Sequence, residues 1–271
     1  MDQLTLSNGS HQLVSVRCDF RISKKCRNEY EIQYREFLKH TSNNNGKLPC
    51  IFCSRTLKFS GRDNPNTKYK SLDDNFFNKI DSQEKAYLLG WIGSDGTIGE
   101  RGFTISIHQD DKITLNKLRD IICPEIPVVD RIRPGVSPMN DFDVNSIKIS
   151  KDLCKLFKIS PGKKSDIIRL PTLNKKYFWH FLRGYFDGDG TINDPENTCK
   201  NHPIASIRSG SKEMLDDLKK SINIKSYVTT NHSISWENKY AWPFLEKIYE
   251  NAIIWLPRKR NRFEKWILHT K

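Results

Sequence analysis

No stretch of the 271 residues approaches the ~18 consecutive apolar residues of a membrane-spanning helix, so the sequence offers no candidate span. The first residues, Met1-Asp2-Gln3-Leu4, have no basic segment leading an apolar run, and no export signal is expected. Paired cysteines are missing too. The seven cysteines (Cys18, Cys26, Cys50, Cys53, Cys123, Cys154 and Cys199) are odd in number, which argues against a disulfide framework and for a reducing intracellular compartment. Acidic residues are also scarce. Lysine and arginine number 45 against 32 aspartates and glutamates, a net charge of +13. That excess calls for a polyanionic partner, most simply nucleic acid, with an acidic membrane surface as the competing class. The chain is 37% hydrophobic and 11% aromatic, enough to bury a core.

Organisation changes along the chain. Residues 1–60 are cysteine-bearing, with one alternating stretch at 13–16 that reads as a strand. Residues 61–73 form a basic, Asn- and Pro-containing linker. Beyond it the sequence repeats itself: LLGWIGSDGTI at 88–98 is echoed by LRGYFDGDGTI at 182–192. The elements after each copy also correspond. Phe103, Ile105 and Ile107 alternate with Thr104, Ser106 and His108 as a half-buried strand, and residues 204–208 are the weaker counterpart. Leu115, Leu118 and Ile122 have helical spacing, as do Leu215, Leu218 and Ile222. Strands are expected at 128–133 and 142–149, then at 227–230 and 233–236; closing helices are expected at 151–157 and 240–249. The fold class is therefore α+β, with two pseudo-symmetric αββαββα halves at 74–170 and 171–271.

Each motif copy ends a helix. The first helix opens on Asp81-Ser82-Gln83-Glu84, a capping-box pattern, and the second follows Thr172, a candidate cap. Gly90 and Gly184 occupy the same position in the two copies. A glycine inside a helix costs ~1 kcal/mol relative to alanine, so their presence implies that the two helix backbones touch. Helices crossing there bring their C-terminal ends together, and with them Asp95 and Asp189. Two facing carboxylates repel unless a cation lies between them, and oxygen ligands favour Mg²⁺ or Mn²⁺. Such ions activate water and stabilise leaving oxygens in phosphodiester cleavage. For either aspartate alone, a plain Asp-Gly turn is the simpler reading; the duplication reverses it. Trp91, Tyr185 and Phe186, beside the glycines, read as core rather than as base-stacking groups.

These residues resemble the two motif copies of a single-chain LAGLIDADG homing endonuclease, a likeness covering about 74–271. The second copy keeps an aspartate at the sixth motif position, Asp187; the first has Gly93 there. The resemblance implies a monomer whose two halves form a saddle along the DNA major groove and cut both strands across the minor groove, leaving 3′ overhangs. It implies metal ligation by Asp95 and Asp189, with the adjoining Gly96 and Gly190 in the metal-binding set. It implies a basic residue in each pocket, carried over to Lys164 (with Lys163 the near competitor) and Lys259, and a water-positioning side chain at Gln109. Residues carried over to the DNA face are Thr104, Ser106, His108, Arg131, Arg133, Lys148, Ser206 and Arg208. For the lysines the bland alternative is a phosphate-contacting surface. The same scaffold also serves non-cleaving proteins, such as RNA splicing maturases and DNA-binding regulators. The terminus His269-Thr270-Lys271 lacks a splice-ready pair, so a free-standing or intron-encoded protein is expected rather than an intein.

Cys50 and Cys53 have the two-residue gap of a zinc knuckle, and Cys18 and Cys26 could complete a four-cysteine site, with His40 or His11 as substitutes. The alternative is four reduced cysteines in a small satellite region. A zinc-ribbon-like element there would extend the DNA footprint. Cys123, Cys154 and Cys199 carry no such spacing.

Overall fold

The computed structural model describes residues 10–43, 46–58, 68–162, 164–229 and 232–269, without the side chains of 43, 56–58, 133, 136 and 229. Most of the 61–70 linker segment therefore lies outside the described residues. The chain divides into two compact units, residues 1–70 and 71–271.

In the first unit, β1 (Leu13–Arg17) and β2 (Glu29–Gln33) pair antiparallel, with Leu13 opposite Gln33 and Arg17 opposite Glu29. Two helices follow, α1 (Tyr34–Asn43) and α2 (Ile51–Lys58). The buried centre of this unit is small and sulfur-rich: Cys18, Cys50 and Cys53 are buried, flanked by Phe20, Cys26, Tyr30 and Phe52. So few apolar side chains are a thin core for a unit of this size, and small units commonly add a metal or cross-links.

The second unit is two copies of one plan. The first copy runs α3 (Gln83–Ser94), β3 (Gly96–Gly99), β4 (Gly102–His108), α4 (Lys112–Ile122), β5 (Val129–Arg133), β6 (Val136–Asn145) and α5 (Ile147–Phe157). The second runs α6 (Lys175–Asp189), β7 (Gly190–Ile192), β8 (Ile204–Arg208), α7 (Lys212–Ser221), β9 (Tyr227–Thr229), β10 (Ser233–Glu237) and α8 (Ala241–Tyr249). An additional helix, α9 (Pro257–His269), closes the chain. The sheets have matching orders, β3-β4-β6-β5 and β7-β8-β10-β9. Period-two alternation sets their faces. Phe103, Ile105 and Ile107 are buried while Thr104, Ser106 and His108 are partly exposed. Ala205 and Ile207 are buried while Ser206 and Arg208 face out.

Helices α3 and α6 pack against each other along their length and form the spine of the unit. The glycines explain how. A Cβ built on Gly90 would lie 2.2 Å from the Phe181 carbonyl oxygen, and one on Gly184 would lie 2.0 Å from that of Tyr87. Only two hydrogens in place of side chains allow this approach. Trp91, Tyr185 and Phe186 are buried around the seam, as expected of core residues.

Four local expectations need correction. Ser82, not Asp81, caps α3, accepting from the Lys85 N–H, and with Lys85 at the third position there is no reciprocal capping box. Asn174 rather than Thr172 caps α6. The strand expected at 142–149 stops at Asn145, because Ser146 caps α5 by accepting from Ile149 N–H, which moves Lys148 from a strand onto a helix. Helix α9 was not anticipated, since its basic first turn reads as a loop until Pro257, a favoured first-turn residue, is counted as its start.

Candidate active site

Asp95 is the C-terminal cap of α3 and Asp189 the last residue of α6, so the glycine seam carries both carboxylates to the same end of the spine. Their closeness shows at Gly188, where a Cβ would lie 2.7 Å from an Asp95 carboxylate oxygen and 1.9 Å from Ser94 Oγ. Both carboxyls are pushed up from the usual range. Burial raises Asp189, and Asp95 beside it adds to the effect, bringing it to about 6. Burial also raises Asp95, against the pull of Lys259 and Lys164, although the residue as a whole is exposed. Two acids raised by burial, one of them also by its neighbour, form a site that a divalent cation would relieve. Gly96 and Gly190 follow directly and start β3 and β7; a Cβ at either would strike the carbonyl of Ile92 or Phe186, at 2.6 and 2.5 Å.

Each carboxylate has a lysine nearby, placed by pseudo-symmetry. Lys164 Nζ donates to the carbonyls of Ile92 and Ser94 at 2.8 and 2.6 Å, on the last turn of α3. Lys259 Nζ donates to Phe186 and Asp187 at 2.7 Å and to Gly188 at 3.2 Å, on the last turn of α6. A helix C-terminus presents unpaired carbonyls and partial negative charge, which suits an ammonium. Burial lowers both lysines to about 8, against the attraction of Asp189 and Asp95 for Lys164 and of Asp187 first for Lys259. Lys163 lies outside the described residues.

A cleft lined by Ser94, Lys164, Asp166, Asp189, Arg208 and His232 opens beside Asp189. On the other side, Arg258 Nε pairs with Asp111 at 3.0 Å, joining the start of α9 to the first half. Gln109 stands in an exposed turn after β4, and no hydrogen bond among the described residues joins it to either carboxylate. Arg131 lies on the sheet face with Thr97, Thr104, Ser106 and Asp141, its Nε 2.5 Å from Asp141. Arg133 ends β5, and its side chain is outside the described set. Lys148 pairs with Asp152 on the surface of α5, away from the strand residues with which it was grouped.

Sequence reasoning missed a buried polar network between the spine helices. Asp187 accepts from Tyr87 Oη at 2.7 Å and from the Leu256 N–H at 2.8 Å, and Arg183 Nε donates to the Ile254 carbonyl at 2.8 Å. The signal was present: Arg183 and Asp187 stand four apart on one apolar helix.

In the first unit, the sulfur atoms of Cys18, Cys26, Cys50 and Cys53 all lie within 4.8 Å of one another. The Cys50–Cys26 separation is 3.8 Å, close to the ~3.8 Å edge of a tetrahedron with Zn–S bonds of about 2.3 Å. Burial pushes the Cys18 thiol up, but backbone N–H groups of Arg21, Cys50 and Phe20 outweigh it and bring it down to about 6. Cys50 N–H lies 3.2 Å from Cys18 Sγ. Burial and its three sulfur neighbours push Cys26 up to about 12, as expected where several thiols share one pocket. The donor set fits a four-sulfur zinc site. His11 and His40 are not part of this cluster.

Comparison with known proteins agrees with the motif. Residues 179–256 match the family described as LAGLIDADG-like domain. Over 193 residues the chain is 25% identical to a DNA-directed RNA polymerase subunit, Rpo1C, of Methanocaldococcus jannaschii, a match covering 68% of this chain and 21% of that protein. The chain thus spans about a fifth of that relative's length. Among solved structures it is similar to the N-terminal LAGLIDADG domain of WhiA, with 21% identity and a TM-score of 0.43 over 65% of this chain and 89% of that one. It is also similar to the LAGLIDADG meganuclease I-AabMI bound to uncleaved DNA, with 11% identity and a TM-score of 0.44 over 68% and 89% of the two chains. The homing endonuclease I-GzeII in complex with its DNA target shows 8% identity and a TM-score of 0.44 over 68% and 88%.

Proposed function

We propose that this LAGLIDADG-like chain is a site-specific double-strand DNA endonuclease, acting as a monomer in the compartment that holds its target. The observation that carries the reading is the pair Asp95 and Asp189 at adjoining helix ends, each in a half that supplies its own lysine. Asp95 and Asp189, with the adjoining Gly96 and Gly190, would hold Mg²⁺ or Mn²⁺. The ion supplies an activated water and charge neutralisation at the phosphodiester. Lys164 and Lys259 place positive charge where the phosphoryl oxygens gain negative charge, with no rearrangement needed at the moment of reaction. The outward faces of β4 and β8 offer Thr104, Ser106, His108, Ser206 and Arg208 to base edges. Each half then serves one strand.

One observation favours a non-cleaving alternative, an RNA splicing maturase or DNA-binding regulator on the same frame. The ammonium groups of Lys164 and Lys259 already bond to backbone carbonyls and are sufficient explained as helix caps. Cleavage of a randomised double-stranded library, with Mg²⁺ and with chelator, separates the two. Mg²⁺-dependent cuts at one long site with short 3′ overhangs support the endonuclease. Salt-sensitive binding without cuts supports the alternative.

The four cysteines of the first unit are assigned to one structural zinc that stiffens a DNA-binding accessory region. Elemental analysis of freshly purified protein should find about one zinc per chain, as four-ligand structural sites hold one ion. Its absence removes the assignment.

A further inference from the structure

The two motif copies differ at their sixth position, where the first half has Gly93 and the second has Asp187. The Asp187 side chain is fully buried. Its Oδ2 atom takes two hydrogen bonds from separate parts of the molecule. Tyr87 Oη donates from α3 of the first half, and the N–H of Leu256, the residue before α9, donates from the second. Leu256 in turn starts α9: its carbonyl accepts from Lys259 N–H at 3.2 Å and Arg260 N–H at 3.1 Å. The carbonyl of Asp187 itself accepts from Lys259 Nζ at 2.7 Å. The Asp187 side chain therefore holds the backbone turn that launches Lys259, while its main-chain carbonyl, with those of Phe186 and Gly188, takes the ammonium at the tip.

Nothing equivalent is available to the first half. A Cβ at Gly93 would already lie 3.1 Å from the Tyr185 ring and 3.3 Å from that of Phe157, leaving no room for a carboxylate. The segment carrying Lys164 is held from other residues: Gly162 N–H donates to the Ile98 carbonyl at 2.8 Å, and the Ile168 carbonyl accepts from Ser211 Oγ at 2.7 Å.

We propose that Asp187 is a positioning residue that fixes Lys259 on the end of α6, so that the two halves of the site are held by different means. Its consequence for strand cleavage rests on the endonuclease reading; its consequence for Lys259 does not.

Two measurements separate these. In metal-free full-length protein, reductive methylation followed by mass spectrometry reports the exposure of Lys259, with Lys164 as internal reference. Asp187→Leu should raise the Lys259 rate about tenfold and leave Lys164 unchanged, as expected when a buried bonded group loses its tether. Asp187→Asn, which keeps an acceptor oxygen, should protect Lys259 as the parent does. Tyr87→Phe removes one tether only and should raise the rate severalfold, which tests the idea even if Asp187→Leu does not fold. Equal protection of Lys259 in both Asp187→Leu and Tyr87→Phe, or a parallel rise at Lys164, overturns the proposal. On supercoiled DNA, Asp187→Leu should accumulate nicked circles broken in one fixed strand, with Asp187→Asn restoring paired cuts. If the parent does not cut, the endonuclease reading fails while the methylation result still decides the role of Asp187. Parallel loss of both cuts assigns Asp187 a general structural role and refutes the proposal.

Discussion

The two sheets of the second unit have the same strand order and different side chains on their outer faces. On the first, Thr104 faces Asp143 and Ser106 faces Asp141, and both carboxylates converge on Arg131. On the second, Thr191, Ser206 and Ser235 lie side by side and Arg208 faces Ser233, while the carboxylate on this face, Glu237, stands at the strand's end opposite Ile204. The spine differs too: in the second half Asp187 accepts from the Leu256 N–H before α9, and the first half has Gly93 at the matching position. Duplication has kept what backbone geometry requires, the glycines, the terminal aspartates and the capping lysines. It has let the outer faces of the sheets and the sixth motif position diverge.

The sharpest way to break this comparison is at its shared part. Asp95→Asn and Asp189→Asn should each lower cleavage of both strands by on the order of 10²–10³-fold, the scale of losing a preorganised charge partner, while DNA binding in a gel-shift assay persists. If only one strand is lost in each variant, the carboxylates do not act as a pair.

The seam comes next. Gly90→Ala and Gly184→Ala each push a methyl into a backbone carbonyl that cannot swing away, and should cost about 3 kcal/mol or more in denaturant unfolding. Gly93→Ala meets only aromatic side chains at 3.1–3.3 Å and should cost about 1 kcal/mol or less. Equal costs at Gly90 and Gly93 would deny the seam its special status.

The third sharpens the difference between the spine halves. Burial, against the opposing pull of Lys259, raises Asp187 to about 6 in the folded chain. The unfolded value is ~3.9. A raised group contributes stability fully below the unfolded value, and that contribution is lost as pH rises through the folded one. The parent should therefore lose about 2 kcal/mol between pH 4 and pH 7 through this residue. Asp187→Asn should lack that slope and melt higher at pH 7.5. Parallel melting curves across this range would refute the account.

The smallest effect concerns the outer face. Asp141 holds the Nε side of Arg131 at 2.5 Å, while the outer end of the guanidinium has only a longer, 3.9 Å contact with Asp143 that a guanine edge could replace. Arg131→Ala should relax preference at one base pair by about tenfold, near 1 kcal/mol, in a binding-selection profile. An unchanged profile would make the Arg131–Asp141 pair purely structural.

Much of this was legible because it repeats. The copies at 88–98 and 182–192 announce the spine, the seam and the paired aspartates, since spacing alone fixes them. The polar faces of β4 and β8 follow from alternation. What escaped depends on contacts distant in the chain. Tyr87 and Asp187 are 100 residues apart, and no local pattern joins them. Helix α9 escaped because its basic first turn masks Phe263 and Trp266, whose spacing of three marks a buried face. The irregular gap between Cys18 and Cys26 becomes intelligible only with β1 and β2 paired: it is the turn between them, and the pairing brings its two ends back together.

The approach of α3 to α6 has one more consequence. At Gly90 and Gly184 the contact is main chain against main chain, so the separation of the two helix ends is set by peptide geometry rather than by the bulk of any side chain. The rest of the protein can drift in sequence, trading one recognition face for another, without changing that interval. On the proposed endonuclease reading, the interval would be a ruler: the stagger between the breaks, and so the length of the single-stranded ends, would stay constant while the address on the DNA is free to change.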